Sequence, residues 1–296
     1  MNNKYTSRMV SIALILATAL ISGCTSHQKV GTRSSVMDYL YPESDNMLVE
    51  PSIPHLKIPS RVGIAFVPES SNRGYVSNFW TGENYSGALS EARKMKLLEN
   101  VAEHFKSLEF VSDIEIIPTA YLTPQGGFSN LSQIKTMYGI DIIALVSYDQ
   151  VQFSDEGLLS LSYWTIVGAY IVSGEENDTS TLMDTVVYDI DSKKMLFRAP
   201  GTSQISGSST PVNRSKELRN DSLKGFEDAS TVMIENLKAE LDQFKASLKD
   251  NPSQARVTYK PGYSGGGSLG IVDTLFFLSL LGLFATRKFR RKPKLS

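Results

Sequence analysis

Apolar residues recur along the middle of the chain in patterns that predict alternating strands and helices. The segment "RVGIAFVP" from Arg61 has strand character, and over residues 87–108 apolar residues return at helical spacing. The segments "VSDIEIIP" and "IDIIALVSYDQVQF" predict two further strands, with a short helix over residues 129–138 between them that ends at Gly139. A β-α-β-α-β order needs crossover helices, so we expect a partly parallel sheet.

The pattern then changes from alternating elements to successive strands. "LSLSYWTIVGAYIVSG" and "STLMDTVVYDIDSKKMLFRAPG" predict three more strands that pair antiparallel, with Asp191, Ser192 and Lys193 forming a tight turn. Residues 214–248 predict a long helix with one apolar stripe able to cover a sheet face. Its apolar residues are Phe226, Ala229, Met233, Leu237, Leu241, Phe244 and Leu248. The fold class expected is therefore α/β (α+β): a mixed sheet, then antiparallel strands, then a long helix.

The segments on either side of this body lack such periodicity. Residues 24–60 contain four prolines and few apolar periods, which predicts a tether. Residues 61–248 then form the globular domain. Residues 249–264 are polar and predict a linker.

The amino-terminal end has the order of a signal peptide over residues 1–23. Lys4 and Arg8 precede the apolar run "MVSIALILATALI", which is too short to span a bilayer comfortably but suits a signal-peptide core. "ISGC", ending at Gly23 and Cys24, resembles a bacterial lipobox. The resemblance implies cleavage between these two residues by a signal peptidase II-type protease and acylation, including palmitate, at Cys24. Several acyl chains anchor a protein firmly, since each buried methylene contributes about 0.8 kcal/mol.

Composition limits the chemistry of the body. Cys24 is the one cysteine, so the chain cannot form an internal disulfide or a zinc site with two cysteines. The net charge is -1 although both ends are basic, so the body between them is acidic. An acidic body argues against nucleic-acid binding, which needs clustered lysine and arginine.

The carboxy-terminal end combines glycines, an apolar run and a basic tail. Residues 269–286 predict a transmembrane helix, because eighteen residues at 1.5 Å rise reach about 27 Å. The tail "RKFRRKPK" predicts a cytoplasmic end. Glycines weaken the entrance of the helix, and Asp273 lies within it, where a carboxylate is costly and often functional.

This tail, over residues 265–296, resembles the GlyGly-CTERM sorting signal. The resemblance implies cleavage by rhombosortase, a rhomboid-type serine protease, with Gly265, Gly266, Gly267 and Ser268 as the recognition and cutting region. A lipobox at one end and this signal at the other are similar to the rhombotarget lipoprotein family, as is "SSVMDYLYPE" near the start of the mature chain. The alternative is a stable anchor behind a flexible glycine linker.

Ser268 also fits the G-x-S-x-G pattern of hydrolases, but its context argues against a nucleophile. That pattern needs a preceding strand and a histidine further along the chain, whereas a polar linker precedes Ser268 and no histidine follows His104. The same stretch lacks the G-K-[ST] of a phosphate loop.

The order of elements in the body resembles a domain shared by several envelope lipoproteins. These include the amino-terminal domain of TolB, the curli secretion lipoprotein and lipoprotein activators of penicillin-binding proteins. The hairpin "VVYDIDSKKMLFRAPG" is similar to hairpins in such proteins. A fold alone does not assign a function.

Polar clusters in the body favour ordinary structural roles. Asp184, Asp189 and Asp191 lack the central glycine and distal glutamate of a calcium loop, so we expect turn chemistry. The acidic segment "SGEENDTS" predicts a solvated loop. His104 has no partner at metal-ligand spacing, which favours a surface or boundary histidine.

Aromatic residues concentrate in the polar loop after the first predicted strand. Tyr75, Phe79, Trp80 and Tyr85 either form a partner-binding patch, since exposed tryptophan and tyrosine favour interfaces, or cap the core.

Together these features predict a non-catalytic, exported lipoprotein of the Gram-negative cell envelope. The chain would be inserted in the inner membrane as a precursor and then sorted to the outer membrane or cell surface, because Thr25 rather than an aspartate follows the cysteine. We expect membrane lipid, the two processing proteases and another envelope protein as partners, and no metal, cofactor or nucleic acid. An oligomerising assembly or secretion factor and a cell-envelope enzyme are the alternatives.

Overall fold

The computed structural model describes residues 28–42, 52–69, 76–77, 84–85, 89–156, 175–210 and 212–263. The strands are β1 (Gln28–Arg33), β2 (His55–Ile58), β3 (Ser60–Phe66), β4 (Val76–Ser77), β5 (Asn84–Tyr85), β6 (Val111–Ile116), β7 (Ile142–Glu156), β8 (Glu175–Asp189), β9 (Lys194–Ser209) and β10 (Arg256–Tyr259). The α-helices are α1 (Val36–Leu40), α2 (Glu91–Phe105), α3 (Gly127–Tyr138) and α4 (Arg214–Asp250).

One mixed sheet of six strands organises the molecule. Its order is β6-β3-β7-β8-β9, with β3 parallel to both β6 and β7, and with β7, β8 and β9 antiparallel to one another. β1 pairs antiparallel with the second half of β7, where β3 has already ended. β1 and β3 therefore lie end to end on the same side of β7. The division of the sheet into a parallel and an antiparallel half is the one that the sequence predicts.

Helices cover both faces of this sheet. On one face α2 and α4 bury a core that includes Leu98, Val101, Phe226 and Met233. On the other face α1 and α3 bury a second core. Two crossover helices on opposite faces follow from placing β6 and β7 on either side of β3.

The long helix α4 covers the sheet as its apolar stripe predicts. Phe226, Ala229, Met233 and Leu237 are buried against β8 and β9. Gly139, predicted to stop α3, is its left-handed C-cap with φ 65°. The predicted turn at residues 191–193 lies between β8 and β9, as expected.

In the second half of β7, buried polar side chains connect the sheet to α4. Gln150 Nε2 donates hydrogen bonds to Thr181 Oγ1 (2.7 Å) and to the Ser222 carbonyl (3.1 Å). Gln152 Nε2 donates to Thr179 Oγ1 (2.9 Å) and to the Leu218 carbonyl (2.8 Å). Gln150 and Gln152 are two residues apart, which is roughly 7 Å along a strand. Their acceptors on α4 are four residues apart, which is roughly 6 Å along a helix, so both glutamines reach the same helix face.

The predicted tether over residues 24–60 contains folded elements in the structure. β1 supplies a strand of the main sheet, and Val30, Tyr39 and Leu40 are buried. The proline-rich composition marks the ends of short elements: Pro42 follows α1, and Pro59 separates β2 from β3. Elements of four to six residues are too short to show a clear hydrophobic period.

The predicted linker over residues 249–264 also contains structure. α4 continues to Asp250, and β10 pairs parallel with β2 in register from Arg256 and His55 to Tyr259 and Ile58. This pairing joins segments some two hundred residues apart, as the contact between His55 Nε2 and Thr258 Oγ1 (2.9 Å) illustrates. Such a non-local partner leaves no signal in local sequence.

Two further predictions fall on other parts of the chain. The strand predicted over "LSLSYWTIVGAYIVSG" and the transmembrane helix over residues 269–286 lie outside the described residues. Among the helices that are described, none combines the length and apolar character needed to cross a bilayer.

Candidate functional site

An apolar cavity lies between the sheet and the last turns of α4. Its volume is about 230 Å³. The wall on the sheet side includes Val62, Ile142 and Ala144, close to where β3 and β7 begin. The remaining lining residues come from β2, the first residue of β3, the end of α2 and the segment after it, β6, β8, β9 and α4. They are Leu56, Ile58, Ser60, Phe105, Leu108, Phe110, Val111, Ile114, Val187, Leu196, Phe197, Leu237, Leu241, Phe244, Lys245 and Leu248.

Only two of these lining residues carry polar side chains. The Ser60 hydroxyl donates to the Lys57 carbonyl oxygen at 2.8 Å, so its hydrogen goes to the backbone. Lys245 is half-exposed; its Nζ lies 3.0 Å from Asp242 Oδ1 and 4.8 Å from the centroid of the Phe110 ring. Exposed ion pairs of this kind contribute about 0–1 kcal/mol to stability, so Asp242 holds the ammonium weakly.

Apart from Ser60 and Lys245, the walls of this cavity are hydrocarbon. Such walls give water too few hydrogen-bond partners to be held. Apolar pockets with one or two polar groups at the edge are typical small-molecule sites. Its walls come from segments spread between Leu56 and Leu248, and among the described residues the sequence indicated the apolar stripe of α4 that contributes Leu237, Leu241, Phe244 and Leu248.

A second cluster, formed by Glu69, Lys94 and Tyr148, is buried at the end of β3. Glu69 Oε1 accepts hydrogen bonds from Lys94 Nζ (2.9 Å) and the Tyr148 hydroxyl (2.5 Å). The two charged side chains are each 7% exposed. The backbone of Glu69 also forms an isolated β-bridge with Ser34, at the point where β1 replaces β3 as the strand next to β7. The ion pair thus fastens the start of α2 to the junction of two strands.

The aspartates near the β8–β9 turn perform separate structural tasks. Arg198 Nε donates to Asp184 Oδ1 (2.9 Å) and Oδ2 (2.8 Å), while burial raises the pKa of the Asp184 carboxyl and Arg198 offsets part of that rise. Asp189 Oδ2 accepts from the Ser192 amide at 2.9 Å, which is the expected turn chemistry. Asp191 pairs with Lys135 at 2.5 Å. Within the described residues there is no group of three metal-ligating side chains.

The other polar predictions have mixed outcomes. His104 is exposed, with Nδ1 2.8 Å from the Asn100 carbonyl oxygen, as expected of a surface histidine. The acidic segment predicted as a solvated loop is instead the start of β8, where Glu175 and Glu176 pair with Glu156 and Asp155 of β7. The paired strands β7 and β8 continue here beyond the part in which apolar and polar residues alternate. The acidic composition therefore predicted a loop where the chain forms a strand.

Most of the sequence-predicted site residues lie outside the described residues: Gly23, Cys24, Tyr75, Phe79, Trp80, Gly265, Gly266, Gly267, Ser268 and Asp273. Tyr85 lies in β5, where its backbone pairs with Val76 of β4.

Comparison with known proteins finds little. No family model matches the chain, and no curated protein matches it. Among solved structures, a homolog of neuraminyllactose-binding hemagglutinin from Helicobacter pylori is similar at a TM-score of 0.32 and 10% identity, over 72% of this chain and 97% of that chain.

Proposed function

We propose that this chain is an exported, lipid-anchored envelope protein with a ligand- or partner-binding domain and a removable carboxy-terminal sorting signal. Cys24 carries the lipid, a signal peptidase II-type protease exposes it, and a rhombosortase-type protease cuts near Gly265, Gly266, Gly267 and Ser268. The segment 269–286, with Asp273 inside it, holds the precursor in the inner membrane. The mature protein then resides at the outer membrane or cell surface, as the resemblance to rhombotarget lipoproteins implies.

The apolar cavity is the observation that carries the binding role. A pocket of about 230 Å³ walled by hydrocarbon suits uptake of an apolar group, and its lining holds no carboxylate, histidine or cysteine that could act on a bound molecule. The Glu69 carboxylate of the buried ion pair also accepts a hydrogen bond from Tyr148, and this cluster ties α2 to the junction of β1 and β3. Binding without catalysis is therefore the function that this geometry supports best.

The positions of the chain ends are compatible with two attachments. β1 begins at Gln28, so three residues separate it from Cys24. After β10 the chain continues past Tyr263 into the glycines of the proposed cutting region.

Mass spectrometry of the mature protein tests the processing. We expect an acylated Cys24 at the amino terminus, a carboxy terminus between residues 265 and 268, and no peptide from "RKFRRK". Cys24→Ala should abolish acylation, while Ser26→Ala serves as the matched control. Recovery of the basic tail from the mature membrane-bound protein would refute the processing.

A second candidate function is an oligomerising assembly or secretion factor. In the described part of the chain, β9 has a neighbouring strand, β8, on one side only. An edge of 16 residues offers unpaired backbone groups to another copy, although Pro200 interrupts them. Light scattering of the purified protein separates the two: a single mass equal to the monomer excludes this candidate.

A further inference from the structure

We propose that the apolar cavity binds one hydrocarbon chain of a single-chain carboxylate, a fatty acid, with Lys245 receiving the carboxylate at the rim. The inference rests on the proposed binding function and names the ligand class for the same site. It is carried by the size of the cavity, the chemistry of its walls, the charge at its edge and its distance from the chain's own lipid.

The size and walls of the cavity favour an apolar guest. Apolar cavities of about 150 Å³ stay dry and take up benzene, and this one is about 230 Å³. The walls are branched aliphatic and phenyl groups on all the contributing elements, so hydrogen-bonding groups on a guest would lose water without compensation. Unbranched hydrocarbon has no such groups.

The rim of the cavity supplies one cation. Lys245 lines the cavity from α4, and its ammonium contacts the Phe110 ring, which also lines it. Asp242, its other partner, is exposed, so a ligand carboxylate can replace this partner at small cost. An apolar interior with a cation at the edge is complementary to an anionic head on a hydrocarbon tail.

The chain's own lipid does not match the rim of the cavity. The acyl groups of a lipidated cysteine are held in ester or amide bonds, so they bring no free carboxylate to Lys245. The amino-terminal attachment also lies far from the cavity, because Ala144 lines the cavity whereas Gln28 of β1 pairs with Ser154, ten strand residues or roughly 34 Å away. The occupant that matches both the walls and the rim is therefore a separate molecule.

Photolabelling in membranes tests this inference with the full chain. The probes are hexadecanoic acid carrying a diazirine in its chain and the corresponding alcohol, each added to membranes that contain the protein. We expect the acid to label peptides covering residues 105–114 and 237–248. Leu241→Trp, which fills the cavity from a half-buried helix position, should lower this labelling at least about tenfold.

Charge at the rim is tested separately. Lys245→Gln should lower labelling by the acid by about tenfold or more, as loss of a hydrogen bond to a charged group implies, and leave labelling by the alcohol unchanged. Lys249→Gln, one turn further along the same helix and outside the cavity, is the matched control and should change neither.

Several results would overturn the proposal. These are labelling of the cavity peptides that Leu241→Trp leaves unchanged, labelling confined to other regions, or equal effects of the two lysine substitutions on the acid. Should Leu241→Trp fail to fold, judged by its thermal transition, Ala144→Phe fills the same space from the sheet. Acylation of Cys24 and removal of the tail are read out independently, so failure of the pocket leaves the processing result intact.

Discussion

The ion pair of Glu69 and Lys94 shows how one buried contact depends on its neighbours. Both side chains are almost fully buried, so each charge has lost most of its hydration. Their mutual attraction, the hydrogen bond from Tyr148 and the Tyr148 ring 5.9 Å from the Lys94 ammonium offset that loss. Removing one member would leave a charge buried without its counter-ion.

We expect Lys94→Met to destabilise the protein by about 3–5 kcal/mol, because it leaves the Glu69 carboxylate buried without its cation. The measurement is the free energy of unfolding in urea. Lys96→Met, two residues along α2 on its exposed side, is the matched control and should change the free energy by less than about 0.5 kcal/mol. Equal effects of the two substitutions would contradict the role given to the ion pair.

Asp184 provides a test that depends on pH. Burial raises the pKa of its carboxyl, so the folded chain holds that proton to a higher pH than the unfolded chain does. The stability that this group contributes is present below about pH 4, its unfolded range, and is lost as the pH rises through the folded pKa. Asp184→Asn does not titrate, so the stability of this variant relative to the native protein should increase between pH 3 and pH 7. A difference in unfolding free energy that stays constant over this range would contradict the prediction.

At the scale of elements, the packing of α4 on the sheet decides the fold. Gly201 of β9 lies directly beneath the helix, and a Cβ atom placed there would overlap the Ala229 carbonyl oxygen and the Met233 amide. The glycine therefore permits close approach of helix and strand. Gln150 and Gln152 then fix the position of the helix along the sheet through its own backbone carbonyls.

We expect Gly201→Ala to cost about 1–3 kcal/mol, because the helix backbone must shift to admit the methyl group. Gly31→Ala is the matched control: it also lies in a strand of the main sheet, but its nearest neighbour is the Gln150 carbonyl oxygen at 3.9 Å. Thermal unfolding of both variants gives the comparison. A transition temperature for Gly201→Ala equal to that of the native protein would show that α4 does not pack closely there.

The elements differ in how far sequence predicts them. β3, α2, α3 and α4 carry apolar residues at regular spacing, so the local sequence pattern is enough to predict them. β1 and β10 have four to six residues each and are held by partners distant in the chain, which pattern does not reveal. The cavity is a product of the same long-range packing, so its lining could not be assembled from sequence motifs.

At the scale of the whole molecule, the two proposed processing events are separable from binding in the cavity. The proposed lipid site and cutting region lie at the chain ends, and the cavity lies inside the folded domain. Substitutions at Leu241 or Lys245 should therefore leave the masses of the mature termini unchanged. A tail retained in either variant would show that the cutting protease senses the folded domain as well as the glycines.

The length of β7 has a consequence for orientation. Its end lies beside the entry of the chain at Gln28, and its start lies beside β3, near the exit of the chain at Tyr259. If the precursor is attached at both ends as proposed, the three residues before Gln28 reach about 10 Å and the nine residues between Tyr259 and Leu269 reach about 30 Å, so β7, at roughly 50 Å, cannot stand perpendicular to the bilayer. After the proposed cut only the lipid would hold the domain, and this restraint on the inclination of β7 would be lost.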